Sequence, residues 1–210
     1  MRCILAIVFS ASLAAQDKPA LPAPDAEGWI SLFNGKDLSG WQGDPNVWRV
    51  VDGYISGKID KIGYNTFLVC PHSFSDFELE LKFWLVDSKG NSGIQYRSEV
   101  KDPAKFVVGG YQADIGKGWW GALYEERGRG VLVKPTPEGE KAAHANDWSQ
   151  YVIKAEGSRL TQSVNGIKTV DFDDTDEKKR KSEGILALQY HSPGNFEIRF
   201  KDIRIRPLKK

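Results

Sequence analysis

Pairs of side chains able to hydrogen-bond recur at positions i and i+2 in three separate stretches of this chain. Gln95 and Arg97 do so within residues 93–97, Gln112 and Asp114 within 111–115, and Gln189 and His191 within 186–191. In an extended strand that spacing puts both members of a pair on one face. The other face of each stretch is apolar or aromatic: Ile94 and Tyr96, then Tyr111, Ala113 and Ile115, then Leu186, Leu188 and Tyr190. If the three strands are neighbours, the six polar groups make one floor. Amides, a guanidinium, a carboxylate and an imidazole together donate and accept, which suits the hydroxyls of a sugar. Trp119, Trp120 and Tyr124 lie in a glycine-rich stretch and offer rings that could stack on a pyranose. A merely solvated face would carry residues such as Glu78, Glu80 and Lys82, which alternate with Phe77, Leu79, Leu81 and Phe83.

Other motifs fail on their context. Gly116-Lys117-Gly118-Trp119-Trp120-Gly121 matches a dinucleotide fingerprint in letters, but no strand–helix–strand unit is there to aim amides at a pyrophosphate. Asp171, Asp173, Asp174 and Asp176 suggest calcium, yet an EF-hand loop needs glycine where Asp176 stands and glutamate where Ser182 stands. His72, His144 and His191 show no zinc spacing, and no Gly-x-Ser-x-Gly elbow occurs. The sequence requires no cofactor. A divalent metal on His191, Asp114 and a nearby glutamate is compatible with the ligand types but not demanded by their spacing.

The elements that must position these groups are strands. The chain has 210 residues, 40% hydrophobic, with 21 glycines and 7 tryptophans. Lys+Arg is 29 against Asp+Glu 28, so there is no basic field for duplex nucleic acid. The apolar period is two: Phe77 to Phe83 alternates, as do Phe196, Ile198 and Phe200, then Ile203 and Ile205. Further strands are expected at 47–51, 66–69, 150–155, 160–164 and 168–172. Asn165-Gly166 between the last two is a hairpin signal, because both residues tolerate positive φ. Residues 138–145 have helix-like composition but follow Pro135 and Pro137, and are read as loop. Ten or more short strands predict an all-β sandwich or barrel.

Residues 1–15, MRCILAIVFSASLAA, carry Arg2, an apolar run and then small residues, the pattern of a secretory signal. Residues 16–27 hold three prolines and are read as a linker; 28–208 are read as one domain. No apolar run is long enough to span a membrane. Cys3 would leave with the signal, so Cys70 stands alone and no internal disulfide is expected. Cys70 follows Phe67, Leu68 and Val69 and reads as a small buried hydrophobe. Nothing in the sequence sets the oligomeric state.

Several stretches resemble the 3-keto-disaccharide hydrolase family. They include GWISLFNGKDLSGW at 28–41, WRVVDGYISG at 48–57, NSGIQYRSE at 91–99, GGYQADIG at 109–116, GALYEERGRG at 121–130 and GILALQYHSPGNFEIRFKDIRIRPL at 184–208. The resemblance implies a concanavalin A-like jelly-roll sandwich of two antiparallel sheets, in a bacterial exported protein acting on 3-keto-glycosides. A ketone at C3 acidifies the C2 proton; its removal gives an enediolate that expels the C1 alkoxide, and water then adds back. For that chemistry His191 is expected as the base, or as partner of Asp114 in the task. Arg97 is expected to stabilise the enediolate oxygen, and Gln95, Gln112 and Gln189 to fix hydroxyls. Glu125 or Glu126 could protonate the leaving oxygen, and the sequence leaves open which. The same floor would also serve a non-catalytic carbohydrate-binding module.

Overall fold

The computed structural model describes residues 18–208, so the export pattern of residues 1–15 lies outside the described residues. Fourteen strands and one short α-helix follow in order among them, with a single 3-10 turn at Val86–Ser88. They are β1 (Ile30–Ser31), β2 (Trp48–Val51), β3 (Tyr54–Ile59), β4 (Thr66–Phe74), β5 (Phe77–Leu85), β6 (Asn91–Asp102), β7 (Val107–Gly116), β8 (Leu123–Glu126), β9 (Gly130–Val133), α1 (Pro137–Ala142), β10 (Ser149–Glu156), β11 (Arg159–Val164), β12 (Ile167–Asp173), β13 (Gly184–Tyr190) and β14 (Phe196–Pro207). No helix among the described residues is long and apolar enough to cross a membrane.

The strands form two antiparallel sheets. One runs β12-β11-β10-β5-β14-β3-β2, with β1 on the far half of β14; the other runs β4-β13-β6-β7-β8-β9. The period-two pattern sends one face of each strand inward. Phe77, Leu79, Leu81 and Phe83 of β5 meet Tyr96, Tyr111, Leu186 and Leu188 of the second sheet in one core. Phe77 and Tyr96 touch edge to face across it, with ring centroids 6.2 Å apart. Burying each such ring removes on the order of 150–250 Å² from water, which is where an all-β domain without a disulfide finds its stability. Cys70 is buried as expected, and burial pushes its thiol up to about 11.

Turn chemistry behaves as read. Asn165 and Gly166 take φ of 47° and 80° and close the β11–β12 hairpin, where Val164 pairs with Ile167. The apolar phase slips between Phe200 and Ile203 because β14 carries a bulge there, with Asp202 at φ 53°.

One reading is corrected, and β3, β8 and β9 were missed. Residues Pro137–Ala142 form a helix, not loop: Thr136 caps it by accepting from the Gly139 amide at 3.0 Å, Pro137 opens it and Glu138 and Glu140 sit in its first turn. β3 was not foreseen because Gly57 lies inside it. There a Cβ would stand 2.5 Å from the Trp48 ring, so the glycine makes room for an indole and is no turn. β8 and β9 escaped for the shortness of each run beside Gly128 and Gly130. In the stretch read as linker, Leu21 packs against the core.

Candidate active site

The sheet order places β13, β6 and β7 side by side, so the three polar stretches adjoin. Register aligns Ala187, Gln95, Gln112 and Tyr124 in one row across β13, β6, β7 and β8, and Gly93 with Asp114 in the next. On the face away from the core opens a cavity of about 540 Å³. Gln112, Asp114, Gln189 and His191 line it, with Trp119, Tyr124 and Glu126 at its walls.

The floor is a directed chain of hydrogen bonds. Ser98 Oγ donates to Gln95 Oε1 at 2.7 Å, Gln95 Nε2 to Gln112 Oε1 at 2.8 Å, and Gln112 Nε2 to Asp114 Oδ1 at 2.6 Å. The chain stops there. Asp114 Oδ2 and both amide atoms of Gln189 are buried without a protein partner. Buried polar atoms are nearly always paired, so three orphans facing one cavity mark a place for ligand or water. Burial pushes the Asp114 carboxyl up to about 7; the bond from Gln112 opposes the rise and the Glu126 charge adds to it. Burial also raises Glu126, against the Asn65 hydrogen bond and the nearby His191.

Gly93 has a reason to be glycine. A Cβ there would lie 2.6 Å from Gln112 Cδ, inside the space the amide crosses on its way to Asp114. Gly93→Ala is expected to displace Gln112 and cost about 1–3 kcal/mol by overpacking, read by urea unfolding. Ligand-induced thermal shifts with sugars should shrink in the same variant.

The cavity wall depends on α1. Glu140 accepts from the Gly118 amide at 3.0 Å and the Trp120 amide at 3.2 Å, which orders the glycine-rich loop carrying Lys117 and Trp119. Trp119 is 38% exposed and meets Tyr124 edge to face at 6.2 Å.

Of the two adjacent glutamates, Glu126 faces the cavity. It pairs with Gly110, two residues from Gln112, so it shares Gln112's face. Glu125 points the other way, onto Arg129, which also grips Asp174. The expectation for Glu125 is corrected by strand parity. Trp120 is likewise corrected: it is turned inward and stacks on Phe83, with centroids 6.1 Å apart. Gln95 lies beneath the floor and reaches the cavity only through Gln112.

Arg97 is not in the cavity. A bulge breaks β6 after Tyr96, with Arg97 at φ 44°, and the side chain leaves the face that alternation assigned to it. Its guanidinium donates to the carbonyls of Ser75 at 2.8 Å, Gly157 at 2.7 Å and Lys181 at 3.2 Å, and to Asp76 at 2.9 Å. Those partners lie in the turns and connections around β5, β10 and β13, so Arg97 clamps the sandwich edge.

Asn65, Asn91 and Lys117 line the cavity and were missed. Asn91 shares the parity of Gly93 and Gln95, so extending that face by one step would have found it. Lys117 stands one residue past the end of β7, and Asn65 one before the start of β4, where alternation gives no direction. Among the described residues no three of His, Cys, Asp and Glu gather closely enough to hold a metal, so His191, Asp114 and Glu126 are not a preformed ligand set. A second hollow, of about 510 Å³, lies on the other sheet. Lys82 pairs there with Asp202 and Arg204 with Glu80, and Asp25 Oδ1 accepts from the amides of Glu27 and Trp29.

Comparison with known proteins agrees with this fold. The family model described as a 3-keto-alpha-glucoside-1,2-lyase-like domain matches residues 28–206. A Bacteroides thetaiotaomicron protein named 3-keto-disaccharide hydrolase is 37% identical over 106 residues, 45% of this chain; the match spans 36% of that relative's length. Among solved structures, a candidate glycosyl hydrolase from Parabacteroides distasonis superposes with a TM-score of 0.65 at 22% identity, over 88% of this chain and 95% of the other. A carbohydrate-binding module from Bacillus subtilis gives 0.61 at 20% identity, over 80% and 95%. At such identities these structures speak to fold, and the fold is the concanavalin A-like jelly roll of two antiparallel sheets. With the family model covering nearly all of the described domain, the chain belongs to the 3-keto-disaccharide hydrolase family.

Proposed function

We propose that this protein cleaves 3-keto-glycosides by proton abstraction at C2, elimination and hydration. The observation that carries the reading is the free oxygen of Asp114, buried at the cavity floor and unpaired. A carboxyl near pH 7 is matched to taking a proton of the kind a neighbouring ketone acidifies.

In this scheme Asp114 Oδ2 takes the C2 proton. The C–H electron pair becomes an enediolate on C2, C3 and the C3 oxygen. That pair then returns to form the C1–C2 double bond as the C1–O bond breaks. Glu126, whose burial favours its protonated form, gives its proton to the departing alkoxide. Water adds across the new double bond, its hydroxyl to C1 and a proton to C2, so the net change is hydrolysis. His191 and Lys117 supply positive charge or donors for the C3 oxygen, the part first expected of Arg97. Gln189 presents a donor and an acceptor to adjacent oxygens of the ring, and Trp119 with Tyr124 offers an aromatic wall. The pattern in residues 1–15 supports export, which sets the reaction outside the cytoplasm.

The test is incubation of the purified protein with a 3-keto-glucoside in D2O. Aglycone release with deuterium at C2 of the product is expected, and no release from the unoxidised glucoside. Release without C2 deuterium excludes elimination. Binding without release, seen as a thermal shift, makes the protein a carbohydrate-binding module instead.

A further inference from the structure

The orientation of a buried amide is set by its partners. Gln112 could turn either edge toward Asp114, and only one of them suits a carboxylate. An ionised Asp114 accepts only, so it requires the amide nitrogen of Gln112; Gln112 Oε1 then requires the nitrogen of Gln95, and Gln95 Oε1 requires a donor. Ser98 is that donor. Gln95 is fully buried and Ser98 is 4% exposed, and neither lines the cavity.

Ser98 should not be there in a regular strand. It stands three positions after Gln95, which puts the two on opposite faces of a regular strand. The bulge at Arg97 inserts the extra residue that brings them to the same side. The site is tightly cut around the hydroxyl: a Cβ on Gly110 would stand 2.3 Å from Ser98 Oγ, and one on Gly184 2.5 Å from the Ser98 nitrogen. Two glycines, one bulge and one buried hydroxyl thus converge on the far end of a chain whose near end is the base proposed above.

We propose that Ser98 and Gln95 are positioning residues: their directed hydrogen bonds hold the Gln112 amide nitrogen on Asp114 Oδ1 and so leave Oδ2 as the oxygen that meets the substrate. This rests on the functional reading above for the part Asp114 plays, but the relay can be tested without turnover. Other charged or titratable groups face Asp114 as well. Glu126 comes from β8, His191 from the end of β13, Lys117 from the loop after β7, and Tyr151 of β10 feels its charge from the facing sheet. None of them changes in the variants below.

The experiment is a carbon-13 NMR titration of aspartate side-chain carboxyls in the purified protein, with the Asp114 signal identified by its loss in Asp114→Asn. Gln95→Leu and Ser98→Ala are compared with the parent, and folding is checked by thermal unfolding. Loss of the directed chain frees Gln112 to turn, and the Asp114 midpoint is expected to rise by about one pH unit, a tenfold change in proton affinity. Ser98→Ala removes atoms from a crowded place and so carries the test if Gln95→Leu fails to fold. An unmoved midpoint in a folded variant overturns the relay. Activity on a 3-keto-glucoside then separates the two ideas. If the midpoint moves but the parent protein turns nothing over, the relay stands and the functional reading falls. If the parent is active, the acidic limb of kcat/KM should move upward with the NMR midpoint, which a purely structural role would not do.

Discussion

Asp114→Asn is expected to lose about 10²–10⁴-fold in kcat/KM on a 3-keto-glucoside and, at pH 8, to be more stable than the parent protein. Both results follow from one group. Asp114 is 3% exposed and its Oδ2 has no partner, so the fold bears the desolvation of a carboxylate that nothing neutralises. Its carboxyl is pushed up to about 7 from an ordinary value of 3.8. Between those values the native state holds more protons than the unfolded state, so stability falls as pH rises. The cost is absent below the unfolded value and complete above the folded one. A shift of that size corresponds to roughly 4 kcal/mol at the upper limit. Asparagine keeps an oxygen for Gln112 to bond and sets a neutral amide in place of the charge. Urea unfolding should therefore show the variant ahead at pH 8, with the gap closing toward pH 4. A parent protein that is the more stable of the two at pH 8 would mean that Asp114 is satisfied, and the argument for it as the base would lose its footing. On the proposed function, the stability it forgoes is what a poised base costs the fold.

The sequence made most of this site legible because strand parity is a rigid rule. Gln112, Asp114 and Gln189 share the cavity because each obeys period two on neighbouring strands, and His191 keeps that phase one residue beyond the end of β13. The Phe200–Ile203 slip even displayed the β14 bulge, since an apolar pattern out of phase is visible in letters. Arg97 failed for the opposite reason. Gln95, Tyr96, Arg97 and Ser98 alternate well enough in the sequence, and a bulge between polar residues leaves no phase error to see. Glu125 and Glu126 could not be separated until β8 had a register, because adjacent carboxylates differ only in which face they take. Asn65 and Lys117 lie beyond strand ends, where direction is set by turns. The glycine-rich loop was recognised as a loop, but its support was not. Glu140 acts on it from a one-and-a-half-turn helix whose cap, Thr136, and opening Pro137 were in the sequence and outweighed by the prolines around them.

The bulge in β6 yields the largest expected loss of stability. Arg97→Met is expected to cost about 3 kcal/mol or more in urea unfolding, the range for breaking one side of a buried ion pair. Four acceptors lose the guanidinium: the carbonyls of Ser75, Gly157 and Lys181, and the carboxylate of Asp76, which among the described residues keeps only the Gly157 amide at 3.1 Å. Arg97 is 1% exposed while Asp76 keeps some contact with water, so the loss lies toward the lower end of that range. Arg97→Lys keeps the charge but cannot fork to the same set of acceptors, and should fall between the two. Turnover separates this account from the one strand alternation suggested. Because Arg97 does not line the cavity, the folded fraction of Arg97→Met should keep kcat/KM within about tenfold, the scale of a relay shifted by one pH unit as the bulge loosens around Ser98. The measurement is made well below the unfolding temperature, with the folded fraction fixed by circular dichroism. A thousandfold loss of turnover in a variant of unchanged stability would return Arg97 to the chemistry and put the bulge, not the floor, at the centre of the site.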